Sequence, residues 1–208
     1  STPRTLVHRT LFAVLAGALT VFGFAPFGVA LLPIVTLAGL FVLWRDAVTP
    51  KRAAGLGFAF GAGLFGAGVP WIGIALVSFG GMPLPLAAIG MAGFCAYLAL
   101  FPALAGWAVA RATPAGSAWR LAAAAGAWTL AEWLRSFVLT GFPWLAVGHA
   151  QLPGSTLAGF APVGGVFLVS LAIATNILSA LTGSASGGLT IALDALGPTY
   201  MRLAAESG

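Results

Sequence analysis

Residues 86–110 read LAAIGMAGFCAYLALFPALAGWAVA, and not one of them is charged until Arg111. A helix rises ~1.5 Å per residue, so a run of this length outreaches a hydrocarbon layer roughly 30 Å thick. The stretch predicts a membrane-spanning helix, and it is one of several. On either side the chain repeats the pattern, with apolar runs separated by short connectors.

The composition agrees. The 208 residues are 60% hydrophobic and 6% charged, with mean hydropathy +1.04, whereas soluble domains carry about 25% charged residues. A soluble fold of this size would have to make core of more than half its residues. A membrane barrel would need ~10-residue segments of alternating polarity, and none is present. The expected fold is therefore an all-α integral membrane bundle of about six transmembrane helices. The net charge of +5 is not a nucleic-acid signal, because the basic residues lie in connectors, as the positive-inside rule expects. A single cysteine, Cys95, excludes an internal disulfide, and its apolar setting makes it a packing residue, not a reactive thiol.

The spans are expected at 11–25, 27–44, 53–77, 86–110, 121–140 and 162–182. The first, preceded by Arg4, His8 and Arg9, looks like a signal peptide, but further membrane segments follow at once, so it is an uncleaved helix. Arg and Lys fall at the N-terminus, at 45–52 and at 111–120, and are absent from 26–33, 78–85 and 140–161. That alternation places the N-terminus in the cytoplasm. Trp44, Trp107 and Trp119 then fall at the inner interface, and Trp71 and Trp144 near the outer one.

The third segment carries glycines at 55, 57, 61, 63, 66, 68 and 73, which marks a close-packing face, since small residues let helices approach in lipid. Residues 1–182 form the six-helix domain. Residues 183–208 behave differently: TGSASGG is linker-like, and LTIALDALGPTYMRLAAESG is too short and polar to span. Leu189, Leu193, Leu196, Tyr200 and Leu203 share a helix face that Gly197-Pro198 interrupts, so the tail is either a short amphipathic segment or a truncated one.

Chemistry concentrates in 131–151, AEWLRSFVLTGFPWLAVGHAQ. At ~1.5 Å per residue from Arg120, Glu132 lies about 18 Å into the membrane and Arg135 about 22 Å. Ionisable groups at that depth pair and mark a functional cavity or brace a bundle, and the i, i+3 spacing lets these two meet. Gly141-Phe142-Pro143-Trp144 is a rigid aromatic turn whose Phe142 and Trp144 suit the headgroup level. His149 has neither a serine–acid constellation nor metal-ligand companions, so it is read as a lone polar loop residue. No His/Cys cluster, paired carboxylates or phosphate loop occurs. No metal or cofactor is expected, and no residue of this chain is assigned to catalysis.

FGFAPFG (22–28), FGAGVPWI (65–72), SFGGMPLPL (78–86), AEWLRSFVLTGFPWLAVGHAQ (131–151) and LAGFAPVGGVFLVS (157–170) occur in this order, and together they resemble the membrane part of apolipoprotein N-acyltransferase. The resemblance implies a bacterial inner (cytoplasmic) membrane enzyme. It would move an acyl chain from a phospholipid to the N-terminal diacylglyceryl-cysteine of a lipoprotein. In that family a carbon–nitrogen hydrolase-like domain carries a Glu-Lys-Cys triad, onto which nothing here maps. The only cysteine is mid-membrane, and the only lysine, Lys51, lies in a cytoplasmic connector. This chain is accordingly expected to be an N-terminal fragment or truncated product without catalysis of its own. The resemblance implies that Trp144, with Gly141, Phe142 and Pro143 around it, helps line the cleft where lipid tails enter. Glu132 and Arg135 would support that turn.

Two other classes fit the composition. GFAP occurs at 23–26 and 159–162, with Thr20/Thr156 and Gly28/Gly164 also aligned, as in a transporter or channel built from internal repeats. A non-catalytic membrane scaffold is the third.

Overall fold

Prolines and connector charges cut the apolar chain into helices. The computed structural model describes residues 3–151 and 156–183, and among these the regular structure is all helical. The helices are α1 (Pro3–Thr20), α2 (Leu31–Arg45), α3 (Pro50–Gly68), α4 (Pro70–Ser78), α5 (Leu84–Ala112), α6 (Ala118–Arg135) and α7 (Ala161–Thr182). The expected tail lies, from residue 184 on, outside the described residues.

Local chemistry sets the boundaries. Thr49 and Ser117 cap α3 and α6, their side chains accepting from the Arg52 and Arg120 backbone N–H groups, as N-cap residues do. The segment expected as one helix over 53–77 is broken. Pro70 has no N–H and displaces the preceding residue from helical geometry, so Val69 sits at φ −124°, ψ 24° and α4 leaves α3 at 48°. The helix expected to reach Thr140 stops at Arg135, because Leu139 and Thr140 have φ of 49° and 76°. Within α7, Gly164 and Gly165 interrupt the helical geometry near its start.

α3 is the central helix, packed against α1 and α5. The glycine-rich face is the reason. A Cβ on Gly63 would stand 2.0 Å from the Val14 carbonyl oxygen of α1, and one on Gly57 would stand 2.3 Å from that of Pro102 in α5. Both contacts bring backbone against backbone. Gly55 and Gly66 face open space, so the packing role belongs to some of the glycines and not to the whole series. An aromatic chain closes the core: Phe41 stacks on Trp44, Trp44 meets Trp128 at a tilt, and Phe60 meets Trp128 edge-on at 5.7 Å. Trp44 is 0% exposed and donates Nε1–H to the Ala53 carbonyl. It is therefore a core residue, unlike the exposed Trp71, Trp107, Trp119 and Trp144 that suit an interface.

The two ends of the bundle differ in charge. At one end the Gly116 N–H donates to the Arg45 carbonyl at 2.8 Å, joining the two basic connectors. Arg120, expected to be a connector charge, is buried there. It donates to the carbonyls of Ala47 (2.7 Å), Ala110 (3.2 Å) and Thr113, and so satisfies orphan carbonyls at the C-terminal ends of α2 and α5. At the other end the uncharged 21–30 connector meets the 136–151 loop, with Gly23 against Ala150.

Arg4–Gly23, Leu84–Ala112 and Leu157–Thr182 are long and apolar enough to cross a membrane, and the bent α3–α4 pair raises the number to four. α2 has 15 residues, about 22 Å at 1.5 Å each, because it starts at Leu31 and not at Phe27. α6 carries Arg120, Glu132 and Arg135, which lowers its hydropathy.

Candidate functional site

The C-terminal turn of α6 governs the uncharged end. Arg135 Nη1 donates to the carbonyls of Phe142 and Trp144 at 2.5 and 2.6 Å. Its own carbonyl accepts from the Phe142 N–H at 2.8 Å. One turn earlier, Glu132 Oε1 accepts from Trp128 Nε1–H at 3.0 Å and from the Val147 N–H at 2.9 Å. Downstream, the Gly148 N–H donates to Ser170 Oγ of α7 at 3.0 Å, and Tyr97 of α5 donates to the Val138 carbonyl at 3.1 Å. The two charges are 4% and 3% exposed, which is tolerable only because both are engaged by polar groups. The guanidinium also lies 5.1 Å from the Phe65 ring centroid.

The i, i+3 spacing suggested that Glu132 and Arg135 meet each other. Among the described residues the ion pairs include Arg45–Asp46 but not Glu132–Arg135. Each charge instead reaches forward to a different part of the loop. Glu132 Oε2 has no hydrogen-bond partner, although the Ser170 hydroxyl lies beside the carboxyl. The void between Glu132, Arg135 and Phe65 is about 10 Å³, room for no more than about one water. The charged residues therefore stand behind the loop and not in a ligand site.

Three non-glycine residues of this loop, Leu139, Thr140 and Leu145, have positive φ. Such residues gather at functional sites, where surrounding contacts hold them. Gly141 is at φ 77°, and a Cβ there would stand 2.0 Å from the Ser136 carbonyl oxygen. No other residue type fits that position.

In front of the loop opens a cleft of about 750 Å³, within the size range of ligand pockets. Trp144, Pro143 and His149 form one wall, while Phe24, Trp71 and Phe167 arrive from the 21–30 connector, α4 and α7. Trp71 and Trp144 lie 6.0 Å apart and are 47% and 55% exposed. Of the aromatic turn, Trp144 and Pro143 thus reach the cleft. Phe142 turns inward onto Phe94, edge-on at 5.1 Å, and Gly141 shapes the backbone beneath. Cys95 is half-buried in α5 and does not line the cleft.

His149, read from sequence as a lone loop residue, lies on the cleft wall. Partial burial there, with the nearby Arg135 charge adding to it, holds its imidazole below the usual histidine range. Phe24, Trp71 and Phe167 lie in stretches that carry the family resemblance, but no local pattern marks them as neighbours, and only packing between distant segments brings them to one surface. Among the described residues no group of His, Cys, Asp and Glu could hold a metal.

Comparison with known proteins gives a consistent picture. Residues 16–178 match the family model described as the apolipoprotein N-acyltransferase N-terminal domain. The apolipoprotein N-acyltransferase of Nitrosomonas europaea is 54% identical over 164 residues, covering 78% of this chain and 33% of that protein. Its counterpart in Chromobacterium violaceum is 42% identical over 178 residues, 85% of this chain and 34% of that protein. That of Vibrio vulnificus is 41% identical over 171 residues, 80% and 33% respectively. The chain spans about a third of the length of these relatives.

Proposed function

The chain belongs to the apolipoprotein N-acyltransferase family, matching its N-terminal domain, and from that premise we propose that it forms the membrane part of a bacterial inner-membrane acyltransferase. The donor is a phospholipid, and the acceptor is the α-amine of a lipoprotein's N-terminal diacylglyceryl-cysteine. The helical segments cross the bilayer six times, with the N-terminus and the basic connectors in the cytoplasm. The cleft at the uncharged end then opens toward the outer leaflet.

The cleft is the observation that carries this reading. Its walls are mostly apolar and aromatic, and it lies between helices, where a two-tailed lipid can enter sideways without leaving the bilayer. Trp144 presents a large, rigid surface to a tail, held at fixed depth by the Arg135 bonds to its own carbonyl and that of Phe142. Glu132 fixes the far side of the loop through the Val147 N–H. These residues position lipid, and bond breaking belongs to groups outside this chain. An acyl-accepting thiolate needs an activating base beside it. Cys95 is away from the cleft, and Lys51 opens α3 at the basic end.

The test is acyl transfer from phospholipid to a diacylated lipopeptide, using a full-length enzyme that contains this chain. Trp144→Ala should lower activity at least several-fold while the detergent melting temperature stays unchanged, because Trp144 is half exposed. Normal activity per folded molecule would reduce the aromatic turn to a membrane anchor. The 208-residue chain alone should show no transfer, and turnover that survives Cys95→Ala would overturn the assignment of the chemistry elsewhere.

A further inference from the structure

The cleft has an apolar interior and very little to hold a polar group. Three backbone donors beside the imidazole are already committed: Val147 to Glu132, Gly148 to Ser170, and His149 to the Ala146 carbonyl. The Ser136 hydroxyl donates to the Trp133 carbonyl at 2.6 Å, so toward the cleft it can only accept. Arg135 directs Nη1 to the carbonyls of Phe142 and Trp144 and does not line the cleft. Apart from the two indoles, the side-chain donor that remains on the wall is the His149 imidazole, which is only partly covered by the protein and stays open to the cleft. No cationic side chain lines the cleft with it, which leaves no charge-based site for a phosphate.

We propose that His149 is a positioning residue that donates a hydrogen bond to an ester carbonyl of the bound acyl lipid and so sets the depth of its tails. The inference rests on the lipid-cleft reading above. An ester carbonyl suits this donor, because it is a neutral acceptor at the boundary between the apolar tail and the polar head of such a lipid. A neutral acceptor suits an imidazole that stands close to the Arg135 charge, since that charge opposes a second cation. Trp71 and Trp144, whose rings meet at 6.0 Å, form one aromatic surface along which the chain below the ester can lie.

The experiment uses the purified chain in detergent and a diester phospholipid with a diazirine at the end of one tail, with crosslinks mapped by mass spectrometry. Unlabelled diester lipid and its diether analogue, identical except for the missing carbonyls, compete for labelling. Crosslinks should fall on the cleft residues, and the diester should compete about fivefold better, the worth of one ordinary hydrogen bond. His149→Leu should abolish that difference, and His149→Gln, which keeps an N–H donor, should restore most of it, with melting temperatures confirming that both variants fold. Equal competition in the unaltered chain, or a difference that survives His149→Leu, overturns the role of His149 while leaving the lipid cleft standing. Crosslinks that map away from the cleft overturn both.

Discussion

Glu132 and Arg135 are three residues apart on α6, yet they hold different parts of the loop, Arg135 the carbonyls of Phe142 and Trp144 and Glu132 the Val147 N–H. This arrangement changes the consequence of removing them. For a mutual ion pair, replacing both charges with apolar residues would recover much of the loss. Here Arg135→Leu strands the carbonyls of Phe142 and Trp144, at a cost of roughly 2 kcal/mol or more. The double change Glu132→Leu, Arg135→Leu should cost more than either alone, because the Val147 N–H is lost as well. Glu132→Gln keeps an oxygen for Val147 and Trp128, and should stay within about 1 kcal/mol of the parent in detergent unfolding. Recovery in the double variant would mean that the two charges interact chiefly with each other. His149 gives a second outcome. Its folded pKa lies below its ordinary value of 6.5, so on acidification the unfolded chain takes up this proton first. Stability should therefore fall as pH drops below about 6.5 and level off below the folded pKa. His149→Gln should show a smaller acid-side decline in melting temperature than the parent, and parallel curves would argue that the imidazole titrates normally.

At the scale of the helices, the glycines of α3 divide into two kinds. Gly63 sits against the Val14 carbonyl and Gly57 against that of Pro102, while Gly66 faces open space. Gly63→Leu should separate α1 from α3 and prevent recovery of a monodisperse protein, or cost several kcal/mol, since neither backbone can give way. Gly66→Ala should be neutral or stabilising by up to about 1 kcal/mol through helix propensity. If both variants melt alike, close backbone approach is not what holds α1 on α3. The break at Val69 belongs to the same scale. Pro70 turns α4 away at 48°, and this is what brings Trp71 beside Trp144. A straight continuation of α3 would carry that indole elsewhere.

Over the whole molecule, charge separates the two ends. Arg45, Lys51, Arg52, Arg111 and Arg120 belong to one end, whereas the connectors at the other end are uncharged. With the basic end cytoplasmic, a cysteine at residue 80 should react with an impermeant thiol reagent applied from outside, and one at residue 116 should not. Gly80→Cys and Gly116→Cys in a Cys95→Ala background would test this on spheroplasts, and the reverse labelling pattern would invert the topology. Both glycines lie in connectors. Gly116 has φ 77°, so a modest loss of yield is expected there from backbone strain.

The sequence by itself determined the helical membrane character, the segregation of basic connectors and the loop after α6, because uncharged runs, connector charges and a buried acid–base motif are local signals. Family membership was legible for a similar reason, as ordered motifs spread along the chain. It also pointed to Trp144 and Pro143, which reach the cleft. Only the tertiary structure decided that Arg135 and Glu132 hydrogen-bond the loop and form no direct ion pair, since helical spacing says which side chains share a face but not what stands opposite. Phe142 turns inward for the same reason, drawn to Phe94 of α5, and Arg120 becomes a buried clasp where carbonyls from two helix ends converge. His149 acquired its place from packing alone. A lone histidine carries no local pattern, and the surfaces that complete its cleft come from α4, α7 and the 21–30 connector.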